Sequence, residues 1–133
     1  MKECVICGKP NSHIHHIIYR SKCKPLEHCK HNLICLCQQH HQGTYGVHGK
    51  YGKDLNMMFK LEFQKWLENH LKQDRYRLED IEKILEISYR ASISLSKLLK
   101  SNQGYFIRED IIRACMGGKL YEKEHVGKNV RTI

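Results

Sequence analysis

The chain has 133 residues, and 23 Lys/Arg against 14 Asp/Glu give it a net charge of +9. That length suits one domain or two very small ones, and a hydrophobic fraction of 41% is too high for wholesale disorder. No apolar run approaches the ~18 residues that a membrane span needs, and the opening Met1-Lys2-Glu3-Cys4 lacks the apolar stretch of a signal peptide. Membrane proteins and secreted enzymes are therefore poor classes, and a cytoplasmic, reducing location is expected. The seven cysteines are odd in number, and in such a compartment clustered Cys and His point to metal rather than disulfide.

The distribution is uneven. Six of the seven cysteines fall within the first 37 residues and eight of the ten histidines within the first 48. Residues 1–53 carry eight Lys/Arg and two Asp/Glu, a net +6, whereas residues 54–133 carry a net +3. A basic front suits a polyanion, most often nucleic acid, although charge alone serves solubility equally well. So small a front half, rich in Cys and His, is expected to rely on a metal staple.

In chain order, Cys4-x-x-Cys7 reads as a knuckle turning through Gly8. The stretch from His13 to Tyr19 reads as a short strand, residues 20–31 as a charged loop, and Leu33 to Leu36 as a second strand. Gly43, Gly46, Gly49 and Gly52 follow at three-residue spacing, which predicts an irregular loop after at most one or two helical turns. Asp54 opens a helix to about residue 72, with Leu55, Met58, Phe59, Phe63, Trp66, Leu67 and Leu71 on its apolar face. Trp66 on that face is a core residue rather than a stacking platform. The polar run 72–77 is the expected domain boundary. Leu78 to Ile87, Ile93 to Leu99, and a segment opened by Glu109-Asp110 and closed by Gly117-Gly118 predict three short helices. Three parts result: 1–71, 72–121 and a tail, 122–133.

Two thiolates at the Cys4-x-x-Cys7 spacing can bind one tetrahedral ion, and Cys37-x-x-His40 has the same spacing. Cys4, Cys7, Cys37 and His40 together make a Cys3His set for structural Zn2+, with Cys35 the main rival to Cys37. Cys115 is expected to be an ordinary buried thiol, and Cys23 and Cys29 receive no role. A second constellation contains His15, His16, Asn32 and His41. Phosphodiester hydrolysis needs a base to accept a proton from water, and an imidazole suits that near pH 7. It also needs positive charge at the phosphate and leaving oxygens, which a divalent ion on imidazole ligands supplies.

The strings HHIIYRS (His15 to Ser21), NLICLCQQHH (Asn32 to His41) and GVHG (Gly46 to Gly49), bracketed by two knuckles, resemble an HNH endonuclease of the kind common in phages. The resemblance covers roughly residues 1–67. It implies an α+β chain with a zinc-stapled ββα-metal (His-Me finger) core. It also implies His16 as general base, His15 and His41 as ligands of a catalytic Mg2+ or Mn2+, and Asn32 as the residue that orients the base and braces the intervening loop. His40 stands where relatives usually have Cys, so His40 and His41 are open to exchange of roles. Adjacent strand residues face opposite sides, so a bend or strand end near His15-His16 is expected if both serve one site. Arg20 is a candidate clamp for the scissile phosphate, Lys50 and Lys53 are candidate backbone-phosphate contacts, and His48 is a candidate further metal ligand; a plain solvated role is open for each.

Residues 78–99 resemble a helix-turn-helix, and GYFIREDIIRACMGG after them is similar to the segment following the recognition helix in excisionase-like proteins. That reading brings Tyr89, Arg90, Ser92 and Ser94 to a DNA major groove. Glu86 stands where Gly is common, and Ile93 is one place later than the usual apolar position; a plain helical bundle is the alternative. The expected whole is a metal-dependent endonuclease acting on DNA as monomer or homodimer. Its rival is a non-catalytic zinc module that binds nucleic acid.

Overall fold

The computed structural model describes residues 2–122, so all but Glu122 of the expected tail lies outside the described residues. The fold is mixed α+β with two short antiparallel sheets. The chain divides into two compact units. The first takes the residues up to Ile17 and Leu33–Glu62; the second takes Ile18–Asn32 and Phe63–Leu120. This division differs from the boundary expected at residue 72: segment 18–32 and the rear of the long helix group with the C-terminal elements. Among the described residues no helix is long and apolar enough to cross a membrane.

In the first unit, β1 (His13–His16) pairs antiparallel with β2 (Leu33–Leu36), placing His15 opposite Ile34 and His16 opposite Leu33. The first strand is shorter than its Ile- and His-rich pattern predicts: it ends at His16, and residues 17–18 form a bend. The Cys4–Cys7 turn closes as expected: Gly8 takes φ +78° and donates its N–H to the Cys4 carbonyl at 2.8 Å. The Val5 N–H bonds the Cys35 carbonyl at 2.9 Å, tying this turn to β2. One helical turn, α1 (Gln38–His41), follows directly. Leu36, Val47, Cys4 and Cys37 make a small core, against which Ile34, Leu55 and Phe59 pack.

The glycine segment is a pinned loop, and close packing explains its composition. Its backbone folds back on α1 and on itself, with Val47 N–H on the His40 carbonyl, His48 N–H on the His41 carbonyl and Tyr51 N–H on the Thr44 carbonyl. A Cβ on Gly49 would overlap the Gly43 carbonyl oxygen, and one on Gly52 would overlap that of Gly46. Only hydrogen fits where backbone meets backbone so closely. The helix α2 (Lys53–His70) leaves this loop, close to the range its periodicity predicts.

In the second unit, residues 24–32 form two single-turn 3-10 helices, Lys24–Leu26 and Lys30–Asn32. Three short helices follow α2: α3 (Leu78–Leu85), α4 (Tyr89–Ser96) and α5 (Arg108–Cys115). The strands β3 (Arg75–Tyr76) and β4 (Phe106–Ile107) pair antiparallel. Two residues of alternation are too few to read in a sequence, so this pair is a structural finding. The Arg108 guanidinium donates to the carbonyls of Glu68, at 3.0 Å, and Leu71, placing a cation at the C-terminal end of α2. Glu86 takes the left-handed conformation (φ 55°, ψ 48°) that Gly usually provides, and its carboxylate pairs with Lys30 at 2.9 Å. Ser88 then caps α4 by accepting the Ala91 N–H at 3.0 Å. Ser92 is fully buried and donates its hydroxyl to the Tyr89 carbonyl at 2.6 Å. It fills the position where an apolar residue was expected, which accounts for the displaced Ile93 and removes Ser92 from any exposed reading face.

Replacing Gly52 by Ala should lower the unfolding free energy by roughly 1–3 kcal/mol, because the methyl overpacks a backbone contact. Lys50→Ala in the same exposed loop should change it by less than about 0.5 kcal/mol. Urea unfolding midpoints of the two variants check this contrast.

Candidate metal centres

Cys4, Cys7, Cys37 and His40 converge as one four-donor cluster. A tetrahedral ion with bonds of about 2.3 Å to sulfur and about 2.0 Å to nitrogen sets its sulfurs about 3.8 Å apart and each sulfur about 3.5 Å from the nitrogen. The Cys7 and Cys37 sulfurs are 3.8 Å apart, and His40 Nδ1 lies 3.6 Å from Cys4 Sγ and 3.2 Å from Cys37 Sγ. All the cysteines are free thiols. A disulfide would need its sulfurs at about 2.05 Å, so the Cys7–Cys37 spacing is not that of a disulfide and is compatible with ligands round an ion.

Electrostatics support the same assignment. Burial alone would raise the Cys4 thiol, but the N–H groups of Cys37, Cys7 and Ile6 and the His40 ring outweigh it and bring it to about 6. Cys37 is lowered as well, chiefly by the His40 backbone N–H against the cost of burial. The Lys9 N–H lowers Cys7, but burial and then the neighbouring Cys37 and Cys4 thiols outweigh it, so Cys7 is raised. Thiolates this close repel, and a divalent cation is the usual remedy. The cluster could hold a metal ion such as zinc. Cys35 stands on β2 opposite Ile14 and is not part of it. Cys23, Cys29 and Cys115 are buried in the second unit, and burial raises their thiols, Cys23 to about 11. They are core thiols.

His15, His41 and His48 form the second cluster, with donor atoms all within 4.8 Å of one another. Their ring centroids are 5.2 Å (His15–His41), 5.0 Å (His15–His48) and 4.8 Å (His41–His48) apart. Each comes from a different element: β1, α1 and the glycine loop. Burial, then the imidazoles of His48, His41 and His16, and Lys60, bring His15 down to about 4. Burial, His48 and His13 likewise lower His41. Both rings are therefore neutral at pH 7 and keep the lone pairs that a metal requires. Three imidazoles from three elements fit a divalent ion that keeps open positions.

His13 joins the rim of this cluster, with its Nδ1 3.4 Å from His41 Nδ1. The signal for it was available in the sequence, because residues 13 and 15 share a strand face. His16 is outside the three-histidine set. Strand β1 ends at His16 and residues 17–18 form a bend, so the strand end that a shared site requires falls at this point.

The remaining candidates stand apart from these donors. Asn32 is fully buried in the second unit and spends its amide on backbone: its Oδ1 accepts the Ile18 N–H at 2.7 Å, and its Nδ2 donates to the carbonyls of Ile18 at 3.0 Å and Leu26 at 3.3 Å. It braces the loop that starts at Ile18. Arg20 is exposed, 3.4 Å from Glu27. Lys50 lies over the Tyr51 ring, Lys53 is exposed at the start of α2, and Arg90 is exposed on α4. Trp66 is half-buried, stacked on His31 at 4.0 Å and His70 at 4.2 Å.

No family model matches this chain, nor does any curated protein or solved structure.

Cys37→Ser should lose tightly bound zinc, whereas Cys35→Ser should retain one equivalent; elemental analysis after gel filtration distinguishes them. Asn32→Ala leaves three buried backbone groups without their partner and should cost roughly 2–4 kcal/mol in urea unfolding. Unchanged stability would mean that Asn32 is not the brace.

Proposed function

We propose that the protein is a metal-dependent HNH-type endonuclease that hydrolyses DNA phosphodiester bonds, built on a ββα-metal core with a structural zinc. The carrying observation is the convergence of His15, His41 and His48 from a strand, the helical turn that follows a two-stranded antiparallel pair, and a pinned loop. A binding module needs the zinc cluster but not a second set of converging imidazoles beside a strongly basic chain.

On this reading the three histidines would hold Mg2+ or Mn2+, which supplies Lewis-acid stabilisation of charge on the phosphate and leaving oxygens. His16 is the general base and takes the proton of the attacking water on a ring nitrogen. His16 is the last residue of β1 and follows the ligand His15 directly in the chain. Asn32 positions the backbone that begins at Ile18, two residues after His16. Arg20, Lys50 and Lys53 neutralise DNA phosphates. The pair α3 and α4, joined through left-handed Glu86, acts as a helix-turn-helix whose exposed Tyr89 and Arg90 face DNA.

Supercoiled plasmid with added Mg2+ or Mn2+ should yield nicked or linear product. EDTA should abolish the product, and a folded His16→Ala variant should cut at least about 100-fold more slowly. Nicked product indicates action as a monomer, and linear product a homodimer. Plasmid left intact in either ion, with zinc retained and DNA bound, would replace the nuclease by a zinc-containing nucleic-acid-binding module. Undiminished cleavage by His16→Ala would remove His16 as the base.

A further inference from the structure

The loop that carries His48 also holds an aromatic pair that neither metal cluster uses. Tyr45 and Tyr51 are 71% and 57% exposed, and their rings stack on each other at 5.4 Å with 28° between planes. Two large rings held together in solvent bury little of their surface, so the pair gains from a partner that covers it. The pair is also prebuilt. The Tyr51 N–H bonds the Thr44 carbonyl at 2.8 Å, and the glycine contacts around it leave the backbone no slack. A ligand landing on these rings therefore meets little ordering cost from the loop.

The surroundings indicate the ligand. Lys50 Nζ lies 5.4 Å from the centre of the Tyr51 ring, and Lys53 is exposed two residues further on. Val47, the aliphatic side chain of this loop, is buried. The exposed surface is thus flat and aromatic with a cationic rim, rather than an aliphatic patch suited to a peptide or a lipid. A strand with π-faced bases and a phosphate backbone matches both features. His48 lies between the two tyrosines in the chain and donates its N–H to the His41 carbonyl at 2.9 Å, so the pair shares its loop with the histidine cluster.

We propose that Tyr45 and Tyr51 form a stacking platform for unpaired bases, which holds a single-stranded or locally opened segment of nucleic acid beside the histidine cluster. Paired bases offer their faces to each other rather than to protein, so the platform selects unpaired nucleotides. Its place beside a cleavage centre rests on the nuclease reading, whereas its binding of bases does not.

The test uses the full, zinc-loaded chain without added Mg2+ or Mn2+, so that nothing is cut. Fluorescence anisotropy measures binding to three labelled probes of equal length: a dT oligomer, an oligomer of abasic spacers with the same phosphates, and a duplex. The dT oligomer should bind more tightly than the abasic one. Tyr45→Ala and Tyr51→Ala should each weaken dT binding about tenfold and leave abasic binding unchanged. Tyr51→Phe should bind dT as the parent does, and Lys50→Ala should weaken both oligomers alike. Zinc content and urea midpoint confirm that each variant is folded. Equal loss on both oligomers, no loss on either, or the same tyrosine dependence on the duplex would overturn the platform. Intact plasmid alongside the expected binding pattern would sink the nuclease and keep the platform; cleavage with tyrosine-independent binding would do the reverse.

Discussion

His40 and His41 are neighbours in one helical turn, yet each serves a different cluster. Consecutive residues of a helix project about 100° apart, so a single turn can present one imidazole to the thiols and the next to His15 and His48. Four residues do not make a stable helix alone, because nucleation is costly. The turn depends on being held from both sides. On one side it follows β2 through Cys37, whose own sulfur belongs to the four-donor cluster. On the other, its His40 and His41 carbonyls receive the N–H groups of Val47 and His48. The position of His41 is thus a consequence of how the thiol cluster and the glycine loop grip α1.

Magnitudes show what such a grip requires. Cys7 and Cys37 are 30 residues apart in the chain. Closing a loop of that size costs roughly 3 kcal/mol in chain entropy, whereas a structural zinc contributes roughly 10–16 kcal/mol of binding free energy. The core of the first unit is small, centred on Cys4, Leu36, Cys37 and Val47, and two of those four residues are themselves metal donors. Apolar burial is therefore a minor partner here, and an ion held by the cluster would supply most of what fixes the knuckle against β2.

The legible parts of the chain were those where periodicity or spacing is long enough to count. The range of β2, the long helix α2, the C-x-x-C and C-x-x-H pairs and the Gly117-Gly118 stop all follow from such patterns. The choice of Cys37 over Cys35 follows from geometry that spacing does not hold: Cys35 is paired within the ladder, whereas Cys37 sits at the start of α1. His48 looked like a lesser position because six residues of glycine-rich chain separate it from His41, and only the backbone bonds back to α1 bring it in. Ser92 was misplaced as a groove-facing residue because a hydroxyl reads as exposed; its bond to the Tyr89 carbonyl makes it acceptable in the core. The brace at Asn32 was half legible. A buried Asn after a loop suggests a clamp, but its partners Ile18 and Leu26 emerge only from the fold.

Six of the seven cysteines separate into two classes by environment rather than by position. Cys4 and Cys37 lie where backbone N–H groups and an imidazole favour the thiolate, and Cys7 sits beside them. Cys23, Cys29 and Cys115 lie where burial favours the neutral thiol, and the Cys29 sulfhydryl donates to the Leu85 carbonyl at 3.3 Å. A thiolate seeks metal and a buried neutral thiol behaves as a small apolar side chain. The same division runs through the histidines. His15 and His41 are kept neutral by burial and then by neighbouring imidazoles, His48 foremost for both, which suits a cation, whereas His31 leans its ring on Trp66 and its Nε2 on Glu86 at 2.8 Å. The Cys/His-rich composition of the front therefore resolves into two donor clusters in one unit and ordinary packing in the other. In each case the deciding quantity is the electrostatic setting of the side chain, which residue type does not encode.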